Sequence, residues 1–268
     1  MSMSWNPAQY LRFAGERLRP ALDLLARIPL DNPRTIVDLG CGAGNVTALL
    51  GERWPDARII GVDSSPDMLR EARVATHNDP RFGFVAADLG QWQPDAPVDL
   101  VYSNAALHWL PGHAALFARV AGMVAPDGVL AVQMPDNFRA PSHTVINDIA
   151  RSERWQAKLG GVVREPPVAA AADYLAWLSP LMTAVDIWLT ENLQVLQPGK
   201  DGEHPVVAWT QGTWLVPILE ALDDGERAEF LRDYMHRLAL HYPARADGCT
   251  LFPFRRLFIV ATARTHNR

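Results

Sequence analysis

The chain has 268 residues, 49% of them hydrophobic and 21% charged, which is the composition of a globular protein long enough to bury a large core. A formal net charge of −5, with no run of Lys and Arg, offers no basic field to a nucleic acid, and the apolar runs are well short of the roughly 18 residues of a membrane span. Met1 to Tyr10 lacks the make-up of a signal peptide, and Cys41 and Cys249 alone make neither a disulfide framework nor a metal cluster, so a cytoplasmic protein without structural metal is expected, and it is taken to be monomeric or weakly associated.

Leucines at 11, 18, 22 and 25 fall on one helical face and predict a helix from Pro7 to Ile28. Thr35 to Leu39 reads as a first strand running into the glycine loop Gly40-Cys41-Gly42-Ala43-Gly44, with a helix from Asn45 to Arg53. Arg58 to Asp63 is a second strand, Pro66 to Ala75 a helix, Phe82 to Ala86 a third strand and Val98 to Ser103 a fourth. A helix from His113 to Val124 and a turn at Ala125 to Gly128 lead into a fifth strand, Val129 to Met134. This alternation predicts a doubly wound α/β domain of the Rossmann-like kind. Beyond Pro135, stretches rich in Trp, Pro and Ala are broken by Val185 to Leu196 and Arg256 to Ala263, which read as a closing antiparallel pair that brings the sheet to seven strands. Residues 1–135 are then the core, 136–184 and 198–252 a helical cap, and 185–197 and 253–268 the closing strands.

A glycine loop between a strand and a helix lets the backbone approach a ligand and leaves the helix N-terminus open to it. Asp63 ends the second strand 19 residues after Gly44, where a carboxylate can accept ribose hydroxyls, so an adenosine-containing cofactor is expected. A dinucleotide fingerprint wants its third glycine where Asn45 stands, which opposes a nicotinamide dehydrogenase. Asp88, just after the third strand, is placed to accept from an adenine amino group or, alternatively, to cap a turn.

Val37–Asn45, Asp63, Asp88 and Asp99–Trp109 resemble, in order, the motifs of class I S-adenosylmethionine-dependent methyltransferases. More closely, Ser4–Pro7, Arg19–Ala21, Ala131–Asn137, Val185–Trp188 and Arg256–Ala261 resemble the trans-aconitate 2-methyltransferase family, and the likeness spans almost the whole chain. The resemblance implies S-adenosylmethionine as cofactor, held by Asp38, Gly40, Cys41, Gly42, Asn45, Asp63, Ser64, Met68, Asp88, Leu89, Asn104, Leu107 and Trp109. It implies a small polycarboxylic acid as the partner, such as trans-aconitate, methylated on a carboxylate.

A carboxylate is already ionised at neutral pH, so methyl transfer to it needs alignment and dryness rather than a catalytic acid or base. His108 is therefore expected to be a wall or core residue rather than a base. A polyanionic acid calls for guanidinium partners, and Arg17, Arg139, Arg255 and Arg256 are the candidates, with Trp5 and Tyr10 in an N-terminal segment that related enzymes fold over the cofactor. Cap residues Trp155, Trp177, Trp209 and Trp214 are as consistent with packing as with a pocket. Two other readings stay open: a methyltransferase of another carboxylate, such as a malonyl group on acyl-carrier protein, and a protein that binds S-adenosylmethionine without turnover.

Overall fold

The computed structural model describes residues 14–163, 165–199 and 203–265, with side chains from Leu18 onward. Helix α1 (Ala14–Ala26) precedes strand β1 (Thr35–Leu39), and α2 (Asn45–Arg53), β2 (Arg58–Asp63), α3 (Pro66–Ala75), β3 (Phe82–Ala86), β4 (Val98–Asn104), α4 (His113–Ala121) and β5 (Val124–Pro135) follow. Strands β6 (Met182–Leu196) and β7 (Thr250–Ala263) complete a seven-stranded sheet of order β3-β2-β1-β4-β5-β7-β6, in which β7 runs antiparallel to β5. The doubly wound sheet with an antiparallel closing strand is the expected fold. Both closing strands start earlier than expected. In β7 the added residues alternate, with Thr250, Phe252 and Phe254 buried, but Pro253 among them reads as a breaker.

Register explains why one face of this sheet is apolar below and polar above. Ile36 pairs with Leu100 and Leu100 with Val129; one row on, Asp38, Tyr102, Ala131 and Val260 are neighbours. Paired residues point to the same face of the sheet. Most of these side chains join Leu24 and Leu25 of α1, Ile28 just after it and Leu50 of α2 in one buried cluster. The next row toward the strands' carboxyl ends is Asn104, Gln133 and Phe258, followed by Pro135 and Arg256. Polar side chains thus enter this face where β4 and β5 end, while β7 continues with buried Phe254 and Phe252.

The chain separates into two compact units. One holds Arg17–Pro135, Pro167–Thr190 and the segment from Arg256. Within it α7 (Ala171–Leu178) lies with α4, where Tyr174 packs edge-on against Phe117 at 4.7 Å and its hydroxyl meets His113 Nδ1. The other unit, built from Asp136–Pro166 and Glu191–Arg255, carries α5 (Pro141–Ala150), α6 (Gln156–Leu159), α8 (Pro205–Gln211), α9 (Val216–Glu220) and α10 (Asp224–His241). Helix α10 begins at a reciprocal capping box between Asp223 and Glu226 and buries Phe230, Tyr234 and Leu238. The Tyr234 hydroxyl donates to the Ser142 carbonyl (2.7 Å), fixing α10 against α5. The tryptophans pack: Trp155 on Phe230, Trp209 on Phe252 and Phe254, Trp214 on Phe138 and His143, and, in the first unit, Trp177 on Tyr174.

Candidate active site

The glycine loop is fixed by backbone geometry. Gly40, Gly42 and Gly44 sit at φ +79°, +53° and +80°, a region that costs an L side chain about 1–2 kcal/mol. A Cβ on Gly40 would come within 2.1 Å of Ala106 Cβ and one on Gly44 within 2.8 Å of Ala72 Cα, so both positions also exclude a side chain by contact. The N–H groups of Gly40 and Cys41 donate to the Val62 carbonyl, tying the loop to β2. Helix α2 starts at Asn45 with Gly44 as a cap that offers no side-chain acceptor, so its first-turn N–H groups are left to other partners.

Asp63 organises this loop. One carboxylate oxygen accepts from Gly42 N–H (3.0 Å) and the other from Ser65 N–H (2.9 Å). Each oxygen retains a second lone pair. Ser65 then caps α3 by accepting from Met68 N–H, and the Met68 side chain is buried. Asp38, 2% exposed, accepts from Thr47 Oγ1 (2.7 Å). Burial pushes its carboxyl up to about 7, against the lowering by Thr47, with the Asp63 charge adding to the rise. Burial likewise pushes the Cys41 thiol far above its usual range.

Asp88 is exposed, and its Oδ1 accepts from Gly90 N–H (2.8 Å). The turn-capping alternative is therefore realised at one oxygen, while the other carries no hydrogen bond among the described residues. Arg119 of α4 holds the same turn by donating to the Leu89 and Trp92 carbonyls.

At the end of β4 the chain bends sharply. Ala105 adopts φ +54° and its N–H donates to the Gln133 carbonyl (2.9 Å), after which Leu107–Trp109 form a single 3₁₀ turn. Leu107 is fully buried, Trp109 is 43% exposed, and the His108 ring lies 4.6 Å from that of Trp109. Burial, with the positive fields of His113 and Arg256, brings His108 down to about 3, so its imidazole is neutral at physiological pH.

The arginine candidates differ in surroundings. Arg139 and Arg255 both face Asp136, at 3.9 and 3.0 Å, with half or more of each side chain exposed. Arg256 is 4% exposed, on β7 beside Pro135. Trp5, Tyr10 and the Arg17 side chain lie outside the described residues. One residue that sequence reasoning passed over stands out. Gln133 is wholly buried, and among the described residues neither atom of its amide has a hydrogen-bond partner, nor does Asn104 Oδ1 beside it in the sheet. A lone glutamine at an inward position of an otherwise apolar strand was the available signal.

Comparison with known proteins agrees with this geometry. Residues 36–128 match the family model described as a methyltransferase domain. Among solved structures, the YcgJ protein of Bacillus subtilis shares the fold at a TM-score of 0.59 and 14% identity, over 92% of this chain and 99% of that one. The phosphoethanolamine N-methyltransferase 2 of Haemonchus contortus, solved with S-adenosyl-L-methionine, shares it at 0.52 and 15% identity, over 92% of this chain and 53% of that one. Relatives at higher identity cover nearly the full length. A trans-aconitate 2-methyltransferase of Azoarcus is 47% identical over 96% of this chain and 98% of its own, and one of Streptomyces coelicolor is 49% identical over 96% and 86%. The chain belongs to the trans-aconitate 2-methyltransferase family.

Proposed function

We propose that this protein transfers the methyl group of S-adenosylmethionine to a carboxylate of trans-aconitate or a closely related small polycarboxylic acid, forming a methyl ester, as a cytoplasmic monomer that engages no nucleic acid. The acceptor rests on near-full-length similarity to relatives bearing that name. The cofactor rests on one feature above all, the two oxygens of Asp63 that fix the glycine loop while each keeps a lone pair for a ribose hydroxyl. The loop's backbone, with Asp38, Asn45, Ser64 and Met68 around it, holds the amino-acid and sugar portions; Asp88 and Leu89 take the adenine, and Asn104, Leu107 and Trp109 wall the methyl end. When bound, the cofactor supplies an electrophilic methyl on a sulfonium.

The chain's own part is binding and alignment. The acceptor carboxylate is ionised near pH 7 and needs no base. His108, neutral and buried, lines the site without moving a proton. Arg256, paired with Pro135 at the end of β5 and nearly inaccessible to water, is suited to a carboxylate because a guanidinium in dry surroundings pairs strongly and bidentately. The test is incubation with labelled S-adenosylmethionine and a panel of mono-, di- and tricarboxylic acids, with esters scored by mass spectrometry. Methylation of trans-aconitate well ahead of monocarboxylic acids is expected; a protein that binds the cofactor yet esterifies no acid would sink the acceptor assignment alone.

A further inference from the structure

We infer that Gln133 is a substrate-binding residue, its amide donating to a carboxylate oxygen of the acid this enzyme methylates, within a set of polar side chains on one sheet face that also contains Asn104, Thr190 and Arg256. The inference rests on the acceptor reading above.

Position comes first. Gln133 pairs with Asn104 on one side and Phe258 on the other, so the three side chains share a sheet face. Arg256 is two residues from Phe258 and returns to that face. Trp188 of β6 stacks on Phe258 with ring centroids 4.9 Å apart and planes within 11°, which puts Thr190, two residues on, on the same side. On β4, β5 and β7 the side chains beneath are Leu100 and Val129, then Tyr102, Ala131 and Val260, all in the hydrophobic cluster, and the Asp38 carboxyl next to Tyr102 on β1 accepts from Thr47. Asn104 and Gln133, and one row on Arg256, lie where β4 and β5 end, at the edge of the sheet that carries the Asn104–Trp109 bend.

Burial comes second. Gln133 has no exposed surface, and its Nε2 and Oε1 both lack partners among the described residues, as do Asn104 Oδ1 and Thr190 Oγ1. Buried polar atoms are hydrogen-bonded in the great majority of cases, because leaving one unsatisfied forfeits its hydration with no return. A structural glutamine would have found a partner, and an apolar residue of the same length would pack as well on the row below. Several unsatisfied atoms in adjacent rows of one face, beside a buried guanidinium, describe a surface whose partners come with a ligand. An anionic, oxygen-rich ligand fits this set: the amide N–H groups of Gln133 and the guanidinium of Arg256 donate to carboxylate oxygens. A neutral amide beside a charged guanidinium also suits an acid with several carboxylates, since it adds donors without adding a second cation to be desolvated.

Gln133→Leu and Gln133→Glu distinguish this role from a structural one. For Gln133→Leu we expect a melting temperature equal to or above that of the parent protein, because an unsatisfied amide is removed from the interior. Its Kd for S-adenosylhomocysteine should stay within about threefold, and its kcat/KM for the tricarboxylic acid should fall about ten- to hundredfold, chiefly through KM, the range for one hydrogen bond to a charged group. Gln133→Glu, which sets like charge against the acid, should raise KM further than Leu does. Gln133→Met replaces Leu if the latter fails to fold. Acid kinetics of the Leu or Met variant unchanged within about threefold would overturn the inference. So would a loss confined to kcat with a lowered melting temperature, which marks a packing role, or a loss of S-adenosylhomocysteine affinity equal to the loss for the acid, which marks a cofactor contact. If the parent protein esterifies no polycarboxylic acid, the acceptor reading has failed, and this inference with it. If the parent is active and the variants match it, this inference alone has failed.

Discussion

The carboxyl ends of β1 and β2 and those of β4 and β5 solve different problems with different means. At the first, recognition is built into the backbone: three glycines at positive φ, two N–H groups anchored to Val62, and a carboxylate, Asp63, whose oxygens already hold Gly42 and Ser65. Its shape is settled before any ligand arrives. At the second, recognition is left to side chains, and Asn104 and Gln133 bury polar atoms that nothing in the described residues satisfies. The first edge suits a ligand common to a whole fold, and the second suits the ligand that sets one family apart.

The largest effect that tests this contrast is on the acceptor side. Arg256→Ala should lower kcat/KM for a tricarboxylic acid by about 2–5 kcal/mol, the cost of leaving a buried charge without its partner, while the Kd for S-adenosylhomocysteine holds. Arg139→Ala and Arg255→Ala should each cost less than about tenfold, because both already face Asp136. A reversed ranking in steady-state kinetics would move the acid's partner to the other unit. On the cofactor side, Asp63→Ala should weaken S-adenosylhomocysteine binding by about 1.5–3 kcal/mol. It should also lower the melting temperature, because Gly42 and Ser65 lose their acceptor. An unchanged Kd by calorimetry in a folded variant would break the ribose assignment.

The two edges also pull stability in opposite directions with pH. His108 titrates near 3 when folded and at 6.5 when unfolded, so as pH falls from 6.5 toward 3 the unfolded chain binds a proton that the native state refuses, and stability drops by up to about 1.4 kcal/mol per pH unit. Asp38 titrates near 7 when folded and at 3.8 when unfolded, so between those values the native state holds the extra proton and stability falls as pH rises. Chemical denaturation across pH 4–7 should therefore show a flatter acid limb for His108→Gln and a steeper one for Asp38→Asn. Matching profiles for the two variants would contradict both assignments. The smallest expected effect is on turnover itself: His108→Gln should lose less than about tenfold, since a general base is typically worth 10²–10⁴-fold and none is needed here. A loss above about a hundredfold that higher pH restores would make His108 a base.

Most of the cofactor edge was legible in the sequence, because local chemistry fixes it. A glycine at every second loop position announces positive φ, and strands ending in Leu39 and Asp63 announce where the loop meets β2. The boundaries of α2 and α3 follow from Gly44 and Ser65 as caps with Pro66 at the helix start. The acceptor edge was less legible because it depends on register between strands far apart in the chain. Gln133 is visible in the sequence as a lone polar residue among apolar ones, but which side chains share its face is hidden until its neighbours Asn104 and Phe258 are known. The arginines could not be ranked either, since nothing local says that Arg139 and Arg255 converge on Asp136 while Arg256, next in sequence, is buried.

The state of Cys41 has a practical side. Alkylating reagents attack thiolates, and a thiol held far above its usual range and 8% exposed offers almost none. Cys249, only partly buried and the one other cysteine in the chain, is thus the natural single attachment point for a maleimide dye. A fluorophore placed there sits in the helical unit while the glycine loop stays chemically untouched. The unmutated protein accordingly comes ready for site-specific labelling, and ligand titrations can be followed by light rather than by turnover.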